Sequence, residues 1–102
     1  VTGGQGTTGD PYEIAVGTTV KLVENVSDDM WNPTFCIIEI EEDGMYTITS
    51  YDGSGLTLQD GTAEDAYVIL WDAGEKAMLT AGTYYVSVYS YSGTAEFTVE
   101  KI

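Results

Sequence analysis

The chain has 102 residues, of which 43% are hydrophobic and 12% aromatic; these proportions exclude wholesale disorder and fit one globular domain. Three lysines, no arginine, no histidine and 17 acidic residues give a net charge of -14. Such a surface repels phosphate backbones and anionic lipid, which argues against nucleic-acid and membrane partners. It suits neutral ligands, or hard cations bound through oxygen, although charge of this kind also serves solubility alone.

The first eleven residues, VTGGQGTTGDP, are rich in Gly and Thr and contain a single apolar side chain. This composition predicts a flexible linker at 1–11, followed by one domain at 12–102. A linker of this kind indicates a domain that belongs to a longer, multidomain chain.

Short runs of β-branched and aromatic residues, bounded by Gly, Asp and Asn, occupy the rest of the chain. They predict strands at 12–16, 19–25, 34–41, 45–51, 55–59, 66–72, 83–91 and 94–101. No segment has the spacing of a long helix, and the helix-forming residues at 75–79 suffice for one turn at most. About eight short strands predict an all-β fold, an antiparallel β-sandwich of jelly-roll type.

Alternation within the strands assigns their faces, because successive side chains point in opposite directions. The predicted core set is Cys36, Ile38, Ile40, Tyr46, Ile48, Val68, Leu70, Tyr84, Val86, Val88, Phe97 and Val99. Cys36 is the single cysteine, so it cannot form a bridge within the chain and is expected to act as a small buried hydrophobe. An acidic domain without disulfides fits a bacterial secreted or surface protein.

Six aromatic residues, on outward parities or in a loop, form a surplus beyond this core set. Tyr67 and Trp71 share the outward parity of one strand, and Trp31 lies in a predicted loop. Tyr85, Tyr89 and Tyr91 share the outward parity of a later strand. A ring left in water forgoes about 1.5–3 kcal/mol of burial free energy, so this surplus calls for an explanation.

Three stretches, EEDGMYTITSYD, AYVILWDAG and LTAGTYYVSVYSYSGTAEFTV, resemble the bacterial pre-peptidase C-terminal (PPC) type of domain and related carbohydrate-binding-module-like accessory domains. The resemblance covers about residues 34–101. It implies a β-sandwich jelly roll attached to a secreted bacterial hydrolase, with relatives that bind collagen or polysaccharide, often with Ca²⁺. The chain departs from the pattern in its SDDMWNP loop and at Trp71.

The residue types in the sequence do not support a catalytic function. Without histidine the chain has no His-based triad and no His metal site. Cys36 lies in mid-strand with no base nearby in sequence. Paired carboxylates can cleave glycosides, but among 17 acidic residues some pair lies at almost any separation, so such pairs do not indicate a glycosidase. We therefore expect a domain that is not an enzyme.

A binding platform for neutral sugars is the leading interpretation of the surplus aromatics. Sugar C–H faces stack on Trp and Tyr rings, while nearby polar groups bond to the hydroxyls. The predicted ligand-binding residues are Trp71, Tyr67, Trp31, Tyr89, Tyr91, Asn32 and Asp72. The alternative is that these rings fill the sandwich or cover a contact with a neighbouring domain.

Calcium is a weaker expectation. The segment ENVSDD and several Asp-containing turns offer oxygen ligands, with Asp28 and Asp29 as candidates, but none matches EF-hand spacing. Asp in a turn commonly serves the turn itself. We expect no required cofactor and leave a structural Ca²⁺ open.

The sequence thus predicts a monomeric, non-catalytic polysaccharide-binding module of a secreted or cell-surface bacterial multidomain protein. Two alternatives remain: a structural spacer of PPC type with no glycan ligand, or a binder of collagen-like protein. A binder should expose Trp31 or Trp71 beside Tyr89 or Tyr91, whereas a spacer should bury or scatter both tryptophans.

Overall fold

The computed structural model describes residues 11–22, 26–28, 33–52, 55–60, 68–70 and 74–102. Within these ranges the chain forms nine strands: β1 Tyr12–Ile14, β2 Thr19–Leu22, β3 Thr34–Ile40, β4 Gly44–Ser50, β5 Gly55–Gln59, β6 Val68–Leu70, β7 Lys76–Leu79, β8 Gly82–Tyr89 and β9 Ala95–Lys101. They build two sheets, which confirms the predicted all-β sandwich. These ranges contain no helix, and hence none with the length and apolarity of a membrane span.

The two sheets have the strand orders β1-β3-β8-β5-β6 and β2-β9-β4-β7. Consecutive strands lie in different sheets at every step except β5–β6, so most connections cross the sandwich. The pairings are antiparallel except that β1 runs parallel to β3, with Tyr12 opposite Cys36. The chain is therefore an antiparallel sandwich with one parallel edge pair, and its jelly-roll character stays a prediction.

Side chains from the facing surfaces of the sheets form one hydrophobic core. The alternation is plain in β2, where Val20 and Leu22 are buried and the intervening Lys21 is exposed. Ten of the twelve residues predicted to face the core are buried, and Tyr84, half-buried, packs against it. Burial of apolar surface at about 25 cal/mol per Å² is the main stabilising contribution here.

Strand β6 departs from simple alternation. Leu70 lies opposite Leu58, but Val68 lies opposite Gln59, so the register shifts by one residue between them. Ile69, which alternation places outward, packs against the core, and Val68 is half-buried. A β-bulge produces this effect, because an extra residue on one strand breaks the two-residue period.

Strand β7 was predicted as a connection containing at most one helical turn. It is an edge strand paired with β4, with Met78 opposite Met45. Leu79 is buried and Ala77 packs against the core. Lys, Ala, Met and Leu all favour helix, so the pairing with β4 and the burial of Leu79 outweigh the local preference.

Cys36 lies in the middle of β3 and is fully buried. Burial raises the pKa of its thiol to about 12, because the low-dielectric interior disfavours the thiolate. The thiolate is the reactive form, so the native protein presents almost none of it at neutral or mildly alkaline pH.

We therefore expect Cys36 to be inert to a thiol reagent such as DTNB at about pH 8. The same protein in guanidinium chloride should react with one equivalent, which serves as the control. Rapid stoichiometric reaction of the folded protein, faster than its unfolding rate, would contradict the placement of Cys36 in the core.

Candidate functional site

The outer face of the five-stranded sheet carries a row of tyrosines along its middle strand, β8. Tyr85 and Tyr89 are half-buried, and Ser87 between them is buried. On β5, Gly55, Thr57 and Gln59 lie opposite these residues. On β3, Phe35 and Ile37 lie opposite Ser87 and Tyr85. We call this set of eight residues the tyrosine strip.

Tyr89 lies across Gly55. A Cβ placed on Gly55 would come within 2.8 Å of Tyr89 Cδ1 and closer still to Cε1 and Cζ, so the ring occupies the space that any other side chain would fill. The φ of Gly55 is not in the left-handed region. The glycine therefore supplies room for the ring rather than an unusual backbone conformation, as in the pairing of an aromatic ring with a strand glycine.

Tyr85 lies four residues before Tyr89 on the same strand, which places it roughly 13 Å away on the same face. Between the two rings, Thr57 Oγ1 and Ser87 Oγ are hydrogen-bonded to each other. Both side chains are small, so the surface between the rings is low and polar. Among the described residues, no large side chain of β5 or β8 therefore stands between the two rings.

The two borders of the strip differ in chemistry. Phe35 and Ile37 make the β3 border apolar; Phe35 is only 7% exposed although it lies outside the core cluster. Thr57 and Gln59 make the β5 border polar. Beyond Tyr85 the strip ends where Thr83 donates to Glu39 Oε1 at 2.6 Å. Phe35 and Gln59 are buried, so the half-buried Ile37 and Thr57 are the border side chains that face outward: one apolar and one polar.

Tyr91 lies in the turn that follows β8, and its side chain is 87% exposed. The strand was predicted to continue to residue 91, but it ends at Tyr89. The turn is tied by hydroxyls, with Ser90 Oγ 2.9 Å from Ser92 Oγ and Ser92 Oγ 3.0 Å from Thr94 Oγ1. Gly93 closes it with a φ of 78°, a conformation that favours glycine.

This turn is also bonded to the segment at 26–28. Val26 N–H donates to Gly93 O, and Ser90 N–H donates to Ser27 O. Asp28, one of the two calcium candidates, is therefore near the same end of the sandwich, where it is exposed. Among the described residues no three acidic, Cys or His side chains are grouped to hold a metal ion.

Most of the ligand-binding residues predicted from sequence lie outside the described ranges: Trp71, Tyr67, Trp31, Asn32 and Asp72, together with the calcium candidate Asp29. Tyr89 and Tyr91 are described and lie at the same end of β8. Sequence reasoning placed Tyr85 on the outward parity but not in the site. It missed Gly55, Thr57 and Gln59 because their neighbours are distant in sequence.

Solved structures with a similar arrangement of strands are known. The pre-peptidase C-terminal domain of collagenase from Bacillus anthracis is 18% identical, with a TM-score of 0.52 over 87% of this chain and 93% of that one. CBM_E1, a carbohydrate-binding module found in a sugar cane soil metagenome and solved with cellopentaose and gadolinium ion, is 12% identical, with a TM-score of 0.54 over 96% and 99%. The chain shares its fold with both.

At these identities the likeness establishes the β-sandwich and no ligand. It confirms, at the level of fold, the resemblance drawn from the sequence. No protein-family model and no curated protein matches the chain.

A cleft of about 590 Å³ lies at the opposite end of the sandwich, where β3 and β9 end. Its lining includes Glu39, Glu41, Glu42, Tyr46 and Lys101. Lys101 Nζ lies 2.9 Å from Glu42 Oε1, and this hydrogen bond is the main cause that raises the pKa of Lys101. Of the platform residues that the structure describes, neither Tyr89 nor Tyr91 lines this cleft.

The hydroxyl pair in the strip gives a test of its geometry. Ser87→Ala should cost about 1–3 kcal/mol of unfolding free energy, because it removes the partner of the half-buried Thr57 hydroxyl. The double variant Thr57→Val/Ser87→Ala should lose less unfolding free energy than the two single variants lose together. Urea denaturation measures all four proteins; strictly additive losses would show that the two hydroxyls are not paired.

Proposed function

We propose that the protein is a non-catalytic module that binds neutral polysaccharide on the tyrosine strip. The observation that carries this proposal is the Tyr89 ring, which lies over Gly55, half-exposed and in line with Tyr85. A ring held against the sheet in this way offers its outer face to the flat C–H face of a sugar. On the β5 border, the half-buried Thr57 hydroxyl is available to a sugar hydroxyl as an additional acceptor.

Charge supports a neutral ligand. The net charge of -14 opposes the approach of an anionic glycan, and the effect extends over a Debye length of about 8 Å at physiological salt. The strip itself consists of uncharged side chains. A neutral chain can therefore reach it without electrostatic cost.

The proposal extends to residues predicted from sequence. Tyr91 lies beyond the Tyr89 end of the strip, and we include it with Trp71, Tyr67, Trp31, Asn32 and Asp72 as contributors to binding. The similar carbohydrate-binding module was solved with cellopentaose, which makes a glycan a reasonable first ligand to test. We further propose that the module is an accessory domain of a secreted or surface bacterial protein, as its structural neighbours suggest.

A structural spacer is the second candidate, and one surface favours it. Met45 and Met78 lie opposite each other on β4 and β7, and are 41% and 63% exposed. Ile102, whose N–H donates to Met45 O, is 62% exposed. This apolar patch on the four-stranded sheet is suited to contact with a neighbouring domain.

Affinity electrophoresis against soluble glucans, xylans and mannans tests the proposal. We expect retardation of the wild-type protein on at least one of them. Tyr89→Ala should weaken binding about tenfold or more, because stacking on a ring of this size contributes about 1.5 kcal/mol or more. Trp71→Ala, Trp31→Ala and Tyr91→Ala test the residues predicted from sequence.

Tyr51→Ala is the matched control. Tyr51 is 54% exposed, but its hydroxyl bonds Thr98 Oγ1 at 3.1 Å on the four-stranded sheet, away from the strip. Its loss should leave retardation unchanged. Absence of retardation on every polysaccharide would reject the proposal, and a collagen arm in the same assay would then separate a spacer from a protein binder.

The same assay also tests whether binding depends on calcium. Retardation measured with added Ca²⁺ and with EDTA decides whether the ion contributes to binding. Equal mobility in both conditions would remove the calcium expectation without affecting the strip.

A further inference from the structure

Among the described residues, the side chains between the two rings of the tyrosine strip are small, and Tyr85 and Tyr89 are each half-buried. The two rings are four positions apart on β8, and the Ser87–Thr57 pair between them consists of two small side chains. A pocket for a single sugar would need walls that enclose the ligand, and the side chains between Tyr85 and Tyr89 provide none. The spacing of roughly 13 Å is longer than two linked sugar rings.

The position of one ring is set by a neighbouring strand. The Tyr89 ring occupies the space that a Cβ on Gly55 would fill. Because Gly55 has no Cβ, the ring can lie close to the sheet. Tyr85 has Gln59 opposite it instead of a glycine. The two rings therefore differ in what supports them, although they share a strand and a face.

We propose that the strip is a track for the interior of a neutral sugar chain, with stacking positions on Tyr89 and Tyr85 and with Gly55 as the positioning residue for Tyr89. This inference rests on the proposed function and names its ligand class: extended chains rather than single sugars or chain ends.

Titration calorimetry with a length series of the retained glycan, from the monosaccharide to the hexasaccharide, tests the track. For the wild-type protein we expect affinity to rise about tenfold or more between the disaccharide and the hexasaccharide. Tyr85→Ala should abolish that rise and leave the disaccharide affinity nearly unchanged. Tyr89→Phe, which keeps the ring, should retain most of the affinity at every length.

Gly55→Ala tests the positioning role without altering either ring. We expect it to fold, since the colliding group is a side chain that can move, and to weaken hexasaccharide binding about tenfold. Gly44→Ala is the matched control. Its added Cβ would meet Lys101 Cε at 2.7 Å, so it also displaces a flexible side chain, but on the other sheet, and it should bind like the wild type.

A second readout reports the ring directly. Nuclear Overhauser contacts between the Gly55 α-protons and the Tyr89 ring protons should be strong in the wild type. Gly55→Ala should weaken the corresponding contacts, and Gly44→Ala should leave them as they are. Wild-type contacts that are absent would overturn the positioning role even if the protein binds glycan.

The outcomes separate the two proposals. Glycan binding that does not depend on chain length, or that Gly55→Ala leaves intact, overturns the track and keeps the proposed function. Absence of binding by any glycan overturns both. A length-dependent affinity that disappears in Tyr85→Ala and falls in Gly55→Ala supports the track.

Discussion

The structure depends on the position of β8 between β3 and β5. Val86 and Val88 face the core and are fully buried, and hydrogen-bonded neighbours on both sides fix the register of the strand. Because the side-chain period of a strand is two, burial of these valines forces Tyr85, Ser87 and Tyr89 to the outer face. A slip of one residue would expose the valines and drive the tyrosines inward. The candidate site is thus a direct consequence of the core.

The neighbouring strands then decide what the outward residues can do. A tyrosine on an open sheet can adopt several rotamers, and ordering it on binding costs side-chain entropy. Gly55 gives the Tyr89 ring a place against the backbone, so part of that ordering is completed during folding. A binding surface built on a central strand also has less freedom than one built on loops. The contribution of β5 is accordingly one of preorganisation.

The alternation of inward and outward positions in the sequence was sufficient to predict which residues of the central strands face the core. Cys36, Ile38, Phe97 and Val99 are buried as predicted, because each strand lies between two partners and has one face against the other sheet. The same reasoning failed at the bulge in β6, where one extra residue ended the two-residue period. It failed at β7 because a four-residue edge strand of helix-forming residues carries too little pattern.

The site was only partly predictable for a related reason. Outward parity identified Tyr89, but Gly55 is far from it in sequence and meets it only through the pairing of β5 with β8. A strand pairing of this range leaves no local signal in a single chain. The parallel pairing of β1 with β3 was missed for the same reason. The outward tyrosines could be predicted because the number of aromatic residues within one strand can be counted from the local sequence.

The distribution of charge separates the strip from the rest of the surface. All three lysines lie near glutamates away from the strip: Lys21 lies opposite Glu96, Lys101 pairs with Glu42, and Lys76 shares the neighbour Thr47 with Glu100. The acidic cleft lies at the Tyr85 end, where Glu39 both lines the cleft and bounds the strip. None of the eight residues of the strip is charged, although the protein has a net charge of -14. If the strip binds a neutral chain as proposed, raising the ionic strength should leave that binding almost unchanged, because the proposed contacts are stacking and neutral hydrogen bonds, which salt does not screen.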